Sequence, residues 1–316
     1  MRIFDNPNFN FIGWRWPATV LSVVIIVAGV VTMIVRGGMP LGVDFTGGTV
    51  VTVGFAAPVD EDAVRDALGA LGPDAVVQRV GAADENQVMI RLPLAGDGTE
   101  ALDAAADQVS TSLEASGMGD FTVVSADQVS ATIGSDLRRK AILATVTAIG
   151  GILLYIGFRF RFSFAAGAVV ATFHDILVTL VFLTWFGYDL SLNVVAAILT
   201  IAGYSVNDTV VVFDRVRETQ RLARCDGLET VVNRAVNQTL SRTIITAGTS
   251  LLAVLALYLF GGDVLRGFAF TMIVGIVAGT YSTVFIASSV AIVLSGRKSS
   301  SARPTEQPEG RRRARA

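Results

Sequence analysis

Gly203–Phe213 reads GYSVNDTVVVF, and its Asn207–Asp208 pair interrupts a run of Ile, Val, Leu and Ala that continues on both sides. An ionised carboxylate in hydrocarbon costs several kcal/mol unless it is paired, protonated or hydrated. Composition decides which solvent this run meets. The 316 residues are 52% hydrophobic and 16% charged, whereas an ordinary soluble domain is about 25% charged. A membrane protein is the reading that fits.

Working outward from that stretch, six segments have the roughly 20 apolar residues that a membrane-spanning helix needs. They are Trp16–Val35, Ala141–Phe158, Phe162–Phe186, Leu190–Phe213, Thr243–Phe260 and Phe268–Leu294. The first is too long for a signal core and no A-x-A-like site follows it, so it reads as an uncleaved anchor. Arg2, Arg15, Arg159, Arg161, Arg215, Arg217, Arg221, Arg224, Arg234 and the tail from Arg297 all fall on one side if the N-terminus is cytoplasmic, while Gly187–Asp189 and Gly261–Arg266 hold only Arg266. The positive-inside rule therefore puts both termini in the cytoplasm. Arg138–Lys140 falls outside, but it borders a large domain whose charge counts little.

The domain plan that follows is a cytoplasmic start (1–15), a first span (16–36), an external domain (37–137), five further spans with an inner loop at 214–242 (138–294), and a disordered basic tail (295–316) attractive to anionic lipid. Within the external part, TVVTVGF, AVVQRV, QVMIRLPL and FTVVSADQV read as strands, and Pro58–Gly72 and Thr99–Ser116 as helices, with Asp60 as an N-cap and Gly72 as a stop. The order βαββαβ is that of a ferredoxin-like split βαβ unit. The fold class expected is thus a polytopic α-helical membrane protein with six transmembrane helices and a ferredoxin-like α+β domain between the first two. Leu228, Val231, Val232, Ala235, Val236 and Leu240 share one helical face, which predicts a helix lying on the inner membrane surface.

Asp208 lies six residues before Asp214, the inner boundary of the fourth span, and hence about 9 Å inside the hydrocarbon edge. Tyr204, Ser205 and Ile201 precede it by helical turns, a partly polar stripe that should face other helices or water. Arg242 begins the fifth span at a similar depth. A guanidinium favours an ionised carboxylate and burial favours the neutral acid, so an Arg that approaches and withdraws would move a proton on and off Asp208. The plainer alternatives are that Asp208 is helix glue bonded to Asn207 or a neighbour, and that Arg242 is an interface anchor. His174–Asp175 in the third span either packs helices or extends a proton path. Gly275 and Gly279 have the G-x-x-x-G spacing of close helix packing. VDFTGG at Val43–Gly48 supplies turn glycines before the first strand.

Other chemistry is not supported. The sequence has no G-x-x-x-x-G-K-[ST], G-x-S-x-G or H-E-x-x-H, so it reads as a non-enzyme that draws energy from elsewhere. One histidine and one cysteine, Cys225, give no basis for a metal site or an intrachain disulfide, and no cofactor is expected.

VDFTGG, FHD in the third span, GYSVNDTVVVFDRVRE in the fourth, NQTLSRT before the fifth, and LFGGDVLRGF with GIVAGTYS around the sixth together resemble the SecD/SecF family of bacterial protein-export membrane proteins, in the resistance-nodulation-division superfamily. The shorter external domain and the acidic motif point to its SecF branch. That resemblance implies a SecD partner beside the SecYEG channel, and completion of preprotein passage after SecA has acted. It also implies use of the proton motive force, with Asp208 as the proton-carrying carboxylate and Arg242 as its switch, in the inner membrane with the α+β domain in the periplasm against unfolded preprotein. No specific nucleic acid is implied. Two other roles stay open: a proton-coupled exporter of small molecules or lipids within the same superfamily, and a scaffold for SecD and SecYEG that transports nothing.

Overall fold

In the computed structural model the chain is described over residues 7–69, 76–80, 86–92, 99–129, 131–222 and 225–299. Backbone polar groups in lipid must be satisfied within their own segment, and the apolar runs accordingly form long helices. Among the described residues, six are long and apolar enough to cross a membrane. They comprise α1 (Arg15–Val35), extended by a 3-10 turn at Ile12–Trp14, and α5 (Ala131–Arg159), α6 (Phe162–Phe186), α7 (Leu192–Leu222) and α8 (Leu228–Phe260). The sixth is a rod formed by α9 (Gly262–Ser282), a π-helical turn (Thr283–Ala287) and α10 (Ser288–Ser299).

Between α1 and α5 lie the one-turn helix α2 (Val43–Thr46), β1 (Gly48–Phe55), α3 (Glu61–Ala67), β2 (Val76–Val80), β3 (Gln87–Leu92), α4 (Thr99–Ala115) and β4 (Phe121–Val129). The sheet order is β2-β3-β1-β4 with antiparallel neighbours, which is the split βαβ arrangement. Period-two alternation sends Val88, Ile90 and Leu92 inward, where they meet Val51, Val53 and Phe55 of β1 and Val64, Val109 and Leu113 of the helices. Asp60 does occupy the N-cap position of α3, but its side chain makes no capping hydrogen bond. Gly72 and the Pro93–Leu94 end of the third predicted strand lie outside the described residues.

Three helix boundaries differ from the sequence reading for one reason: apolar content locates the span, whereas the helix continues wherever packing supports it. α5 begins ten residues before Ala141, through the charged Arg138–Lys140. α7 runs on to Leu222, and the predicted surface helix at 228–240 is the first third of α8. The apolar face of that segment covers protein rather than lipid, since Val231, Val232, Ala235 and Val236 pack with Ile12, Val212, Phe213 and Val216. The inner loop predicted at 214–242 is therefore a helical hairpin around residues 225–227. Of the tail expected to be disordered from residue 295, residues 295–299 continue α10, and the remainder lies outside the described residues.

VDFTGG does more than turn. Gly47 and Gly48 have φ of 70° and 131°, the left-handed region that glycine tolerates, and a Cβ on Gly48 would sit 2.9 Å from the Leu92 carbonyl oxygen. The segment is wedged against the α6–α7 connection. Gly42 N donates to Leu190 O and Leu190 N to Pro40 O, each at 2.8 Å. Asp44 Oδ2 accepts from Leu192 N at 2.8 Å, at the start of α7, where a carboxylate satisfies an orphan helix donor. Arg91 of β3 ion-pairs with Asp189 and donates to Leu41 O at 3.2 Å.

Each side chain of the Arg91–Asp189 pair is only 17% exposed, so it is no ordinary surface pair. Burial pushes the Asp189 carboxyl above its ordinary value of 3.8, while the charge and hydrogen bond of Arg91 pull it down. The folded protein holds that proton more tightly than the unfolded chain. This contribution to stability is thus complete below the ordinary value and is lost as pH rises through the raised one. At neutral pH Arg91→Ala leaves a desolvated carboxylate uncompensated and is expected to cost about 3 kcal/mol, near the low end for a broken buried pair. Asp189→Asn keeps an acceptor for Arg91 and should cost less. Thermal melts of both variants at neutral pH check that order.

Candidate functional site

Helix α7 packs against α6, α8 and α9, and its polar residues divide between two flanks. Toward α8, Thr243 Oγ1 donates to Asp208 Oδ1 at 2.7 Å, and one turn away the Tyr204 side chain lies beside Ser250. These rungs join antiparallel helices at spacings of about one or two turns. Asp208 Oδ2 is buried and has no hydrogen-bond partner among the described residues. Arg242, next to Thr243, acts on Asp208 through its charge. Its side chain is exposed, and no ion pair within 4.0 Å includes it among the described residues. Asn207 is exposed on α7.

The other flank is drier. Asp175 is 0% and His174 7% exposed, and their contact runs from His174 Nδ1 to Asp175 Oδ1 at 2.9 Å. Asp175 Oδ2 accepts from Ser205 of α7 at 2.5 Å and from Ser282 of α9 at 2.8 Å. His174 Nε2 lies 2.9 Å from Ser22 Oγ of α1, and its ring stacks on Tyr281 with centroids 6.0 Å apart. Four helices therefore meet at the His174–Asp175 pair. Tyr204 and Ser205, neighbours in the predicted stripe, serve opposite flanks.

Gly275 and Gly279 are what let α9 approach α7. A Cβ on Gly275 would fall 2.2 Å from Ile201 Cδ1, and one on Gly279 would fall 3.1 Å from Ser205 Cβ. Gly275→Ala is expected to destabilise the bundle by about 1–3 kcal/mol. Adding Ile201→Ala should recover part of that loss, a coupling that a double-mutant melt would measure.

Sequence reasoning missed Ser22, Tyr281, Ser282 and Thr243, along with the Thr209–Thr283 hydrogen bond of 2.9 Å beside the π-helical turn. Hydroxyls in apolar helices are poor signals, because many only bond back one turn, as Thr172 does to Ala168 O and Thr179 to Asp175 O. Six residues beyond Asp208 on α7, Asp214 is held by Arg159 of α5 at 2.8 and 2.9 Å. Among the described residues no cluster of three or more His, Cys, Asp or Glu could hold a metal ion. Cys225 is exposed.

Comparison with known proteins agrees with this layout. The family model described as protein export membrane protein SecD/SecF, C-terminal, matches residues 108–297, and the SecD/SecF GG motif matches residues 33–59. A protein translocase subunit SecF of Rhodothermus marinus is 42% identical over 94% of this chain and 96% of its own length. The subunit of the same name from Escherichia coli O157:H7 is 36% identical over 96% and 93%. Among solved structures, the translocon-associated membrane protein SecDF of Thermus thermophilus superposes with a TM-score of 0.81 at 34% identity, covering 92% of this chain. The present chain spans 39% of that longer protein. The chain, with six candidate spans, a split βαβ domain held by its diglycine segment and a carboxylate within α7, belongs to the SecD/SecF family of protein-export membrane proteins.

Proposed function

We propose that the chain is the SecF subunit of the accessory complex of the Sec translocon, and that it uses the proton motive force to promote late, ATP-independent steps of preprotein translocation. Asp208 is its proton-carrying carboxylate and Arg242 the cation that enters and leaves its vicinity. The observation that carries this reading is the state of Asp208. One oxygen is anchored by Thr243, and the other is buried without a donor among the described residues while Arg242 is exposed. A carboxyl oxygen so placed is open to a proton or to a returning cation.

Coupling follows from the fold. α7 carries Asp208 at mid-helix, and its first turn is held by Asp44 of the diglycine segment. A shift of α7 is thereby felt by the sheet domain. Moving one charge through 100 mV supplies about 2.3 kcal/mol, enough to bias a two-state equilibrium roughly fifty-fold. The Arg distribution supports cytoplasmic termini and an external sheet domain, and membership of the family supports an inner-membrane location with that domain in the periplasm, facing unfolded preprotein. SecD is the expected partner, because the relative from Thermus joins both halves in one chain. The SecYEG channel is the second partner and SecA an indirect one.

Purification of the tagged chain from its native membrane tests the assignment. SecD and SecYEG should accompany it in defined ratio. Isolation without either would remove the translocon role and favour the exporter reading.

A further inference from the structure

The hydrogen bonds around His174 and Asp175 can be assigned donor by donor. The Ala18 carbonyl only accepts, so the Tyr281 hydroxyl donates to it, at 2.6 Å. With its one proton placed there, Tyr281 accepts from Ser22 Oγ at 3.1 Å. Ser22, its own proton used, accepts from His174 Nε2 at 2.9 Å. From the other direction, Asp175 Oδ2 accepts from Ser205 and Ser282. What remains is His174 Nδ1 against Asp175 Oδ1 at 2.9 Å. An imidazole protonated at Nε2 and an ionised carboxylate would both present lone pairs there. The contact requires one more proton, shared as imidazolium and carboxylate or as imidazole and carboxylic acid. Either form is neutral overall, which suits a site with no exposed carboxyl surface.

We propose that the His174–Asp175 pair is a second proton-holding site in the membrane interior, distinct from Asp208, and that its proton sustains the Ser22–Tyr281 hydrogen bond that ties α1 to α9. The consequence of losing it follows from the same assignment. One proton passes to bulk water and the pair goes from neutral to a net charge of −1. The ring stays against the carboxylate only in the tautomer with hydrogen on Nδ1. Nε2 is then an acceptor, and the Ser22 hydroxyl turns to it and away from Tyr281. One proton out therefore releases one tie on α1, the helix that leads directly into the sheet domain.

No other charge offers this control. α1 has no charged side chain between Arg15 and Arg36, and the sixth-span rod has none from Gly267 to Ser295. On α7 the Asp208 carboxylate bonds toward α8. The remaining neighbours are the Tyr281 phenol and the hydroxyls already assigned.

The proposal deepens the proton reading of the bundle without depending on Asp208, so it is tested in an Asp208→Asn background. The full chain, with the partners that co-purify, is placed in lipid. Infrared difference spectra are recorded over a series of pH steps, with and without carboxyl-labelled aspartate. The expected result is uptake of one proton per chain, seen in imidazole or aspartic-acid bands, together with a shift of the tyrosine C–O band. His174→Gln should abolish the uptake and Tyr281→Phe the tyrosine shift. Ser22→Ala, which removes a single hydroxyl and should leave the fold intact, should keep the uptake and lose the tyrosine shift. Absence of a His174-dependent proton, or a tyrosine shift that survives Ser22→Ala, overturns the proposal. Failure of gradient-driven export to depend on Asp208 would leave these spectra unchanged, so the two readings fail separately.

Discussion

Asp208→Asn is expected to abolish gradient-dependent export while leaving the assembly intact. The amide has nearly the shape of the carboxyl group, and its oxygen can still accept from Thr243 Oγ1, now 2.7 Å from Asp208 Oδ1. Packing between α7 and α8 should survive, with Tyr204 and Ser250 as the second rung. What is lost is the capacity to bind and release a proton, and with it all differential response to the gradient, since an unchanging group cannot shift an equilibrium. The measurement is completion of preprotein translocation into inverted membrane vesicles, with ATP-driven entry and gradient-driven completion scored separately and an ionophore as reference. The variant should match the ionophore-treated wild type in the second step and the untreated wild type in the first. Unaltered completion would remove Asp208 from the mechanism.

Gly167→Val should produce the largest structural effect of a single substitution. A Cβ at Gly167 of α6 would lie 2.5 Å from the Ala287 carbonyl oxygen and 3.4 Å from Ala291 N. The obstacle is backbone, at the π-helical turn, so no side chain can rotate aside. α6 would have to back away from the α9–α10 rod, and Asp175 on the same helix would be drawn off Ser282, now 2.8 Å distant. Overpacking usually costs 1–3 kcal/mol, and a backbone obstacle plus a broken buried network puts this case at about 3 kcal/mol or more. Gly151→Val on α5, where no heavy atom lies within 4 Å of the added Cβ, controls for the helix propensity of valine. Melts of the two variants in detergent should differ by most of that amount.

The spans and the split βαβ domain were legible because lipid and a half-buried sheet each impose a simple period. Twenty apolar residues can do little in a bilayer except form a helix, and QVMIRL alternates visibly. Where a helix ends is a matter of tertiary packing, so the hairpin of α7 and α8 looked like a loop and a surface helix. Asp208 announced itself through its cost in an apolar run. The sequence suggested an Asp208–Arg242 pair, whereas the structure places Thr243 on the carboxylate and leaves Arg242 exposed. A side-chain direction around a helix cannot be read from depth alone. The Asp175 network was the least legible part, because beyond His174 its members are serines from three helices far apart in sequence, and apolar spans carry serine for many reasons.

The unbroken course of α8 has a mechanical meaning. Its 33 residues make a rod about 50 Å long, against a hydrocarbon layer of about 30 Å. Some 20 Å therefore stands clear of the lipid as a stiff tiller, braced by α7 beside it. If the rod rocks by about 10° at the membrane edge, simple leverage carries its tip through about 3 Å, the length of one hydrogen bond. A sub-ångström rearrangement around a single carboxyl group would then arrive at the aqueous end large enough to grip or let go of whatever docks there.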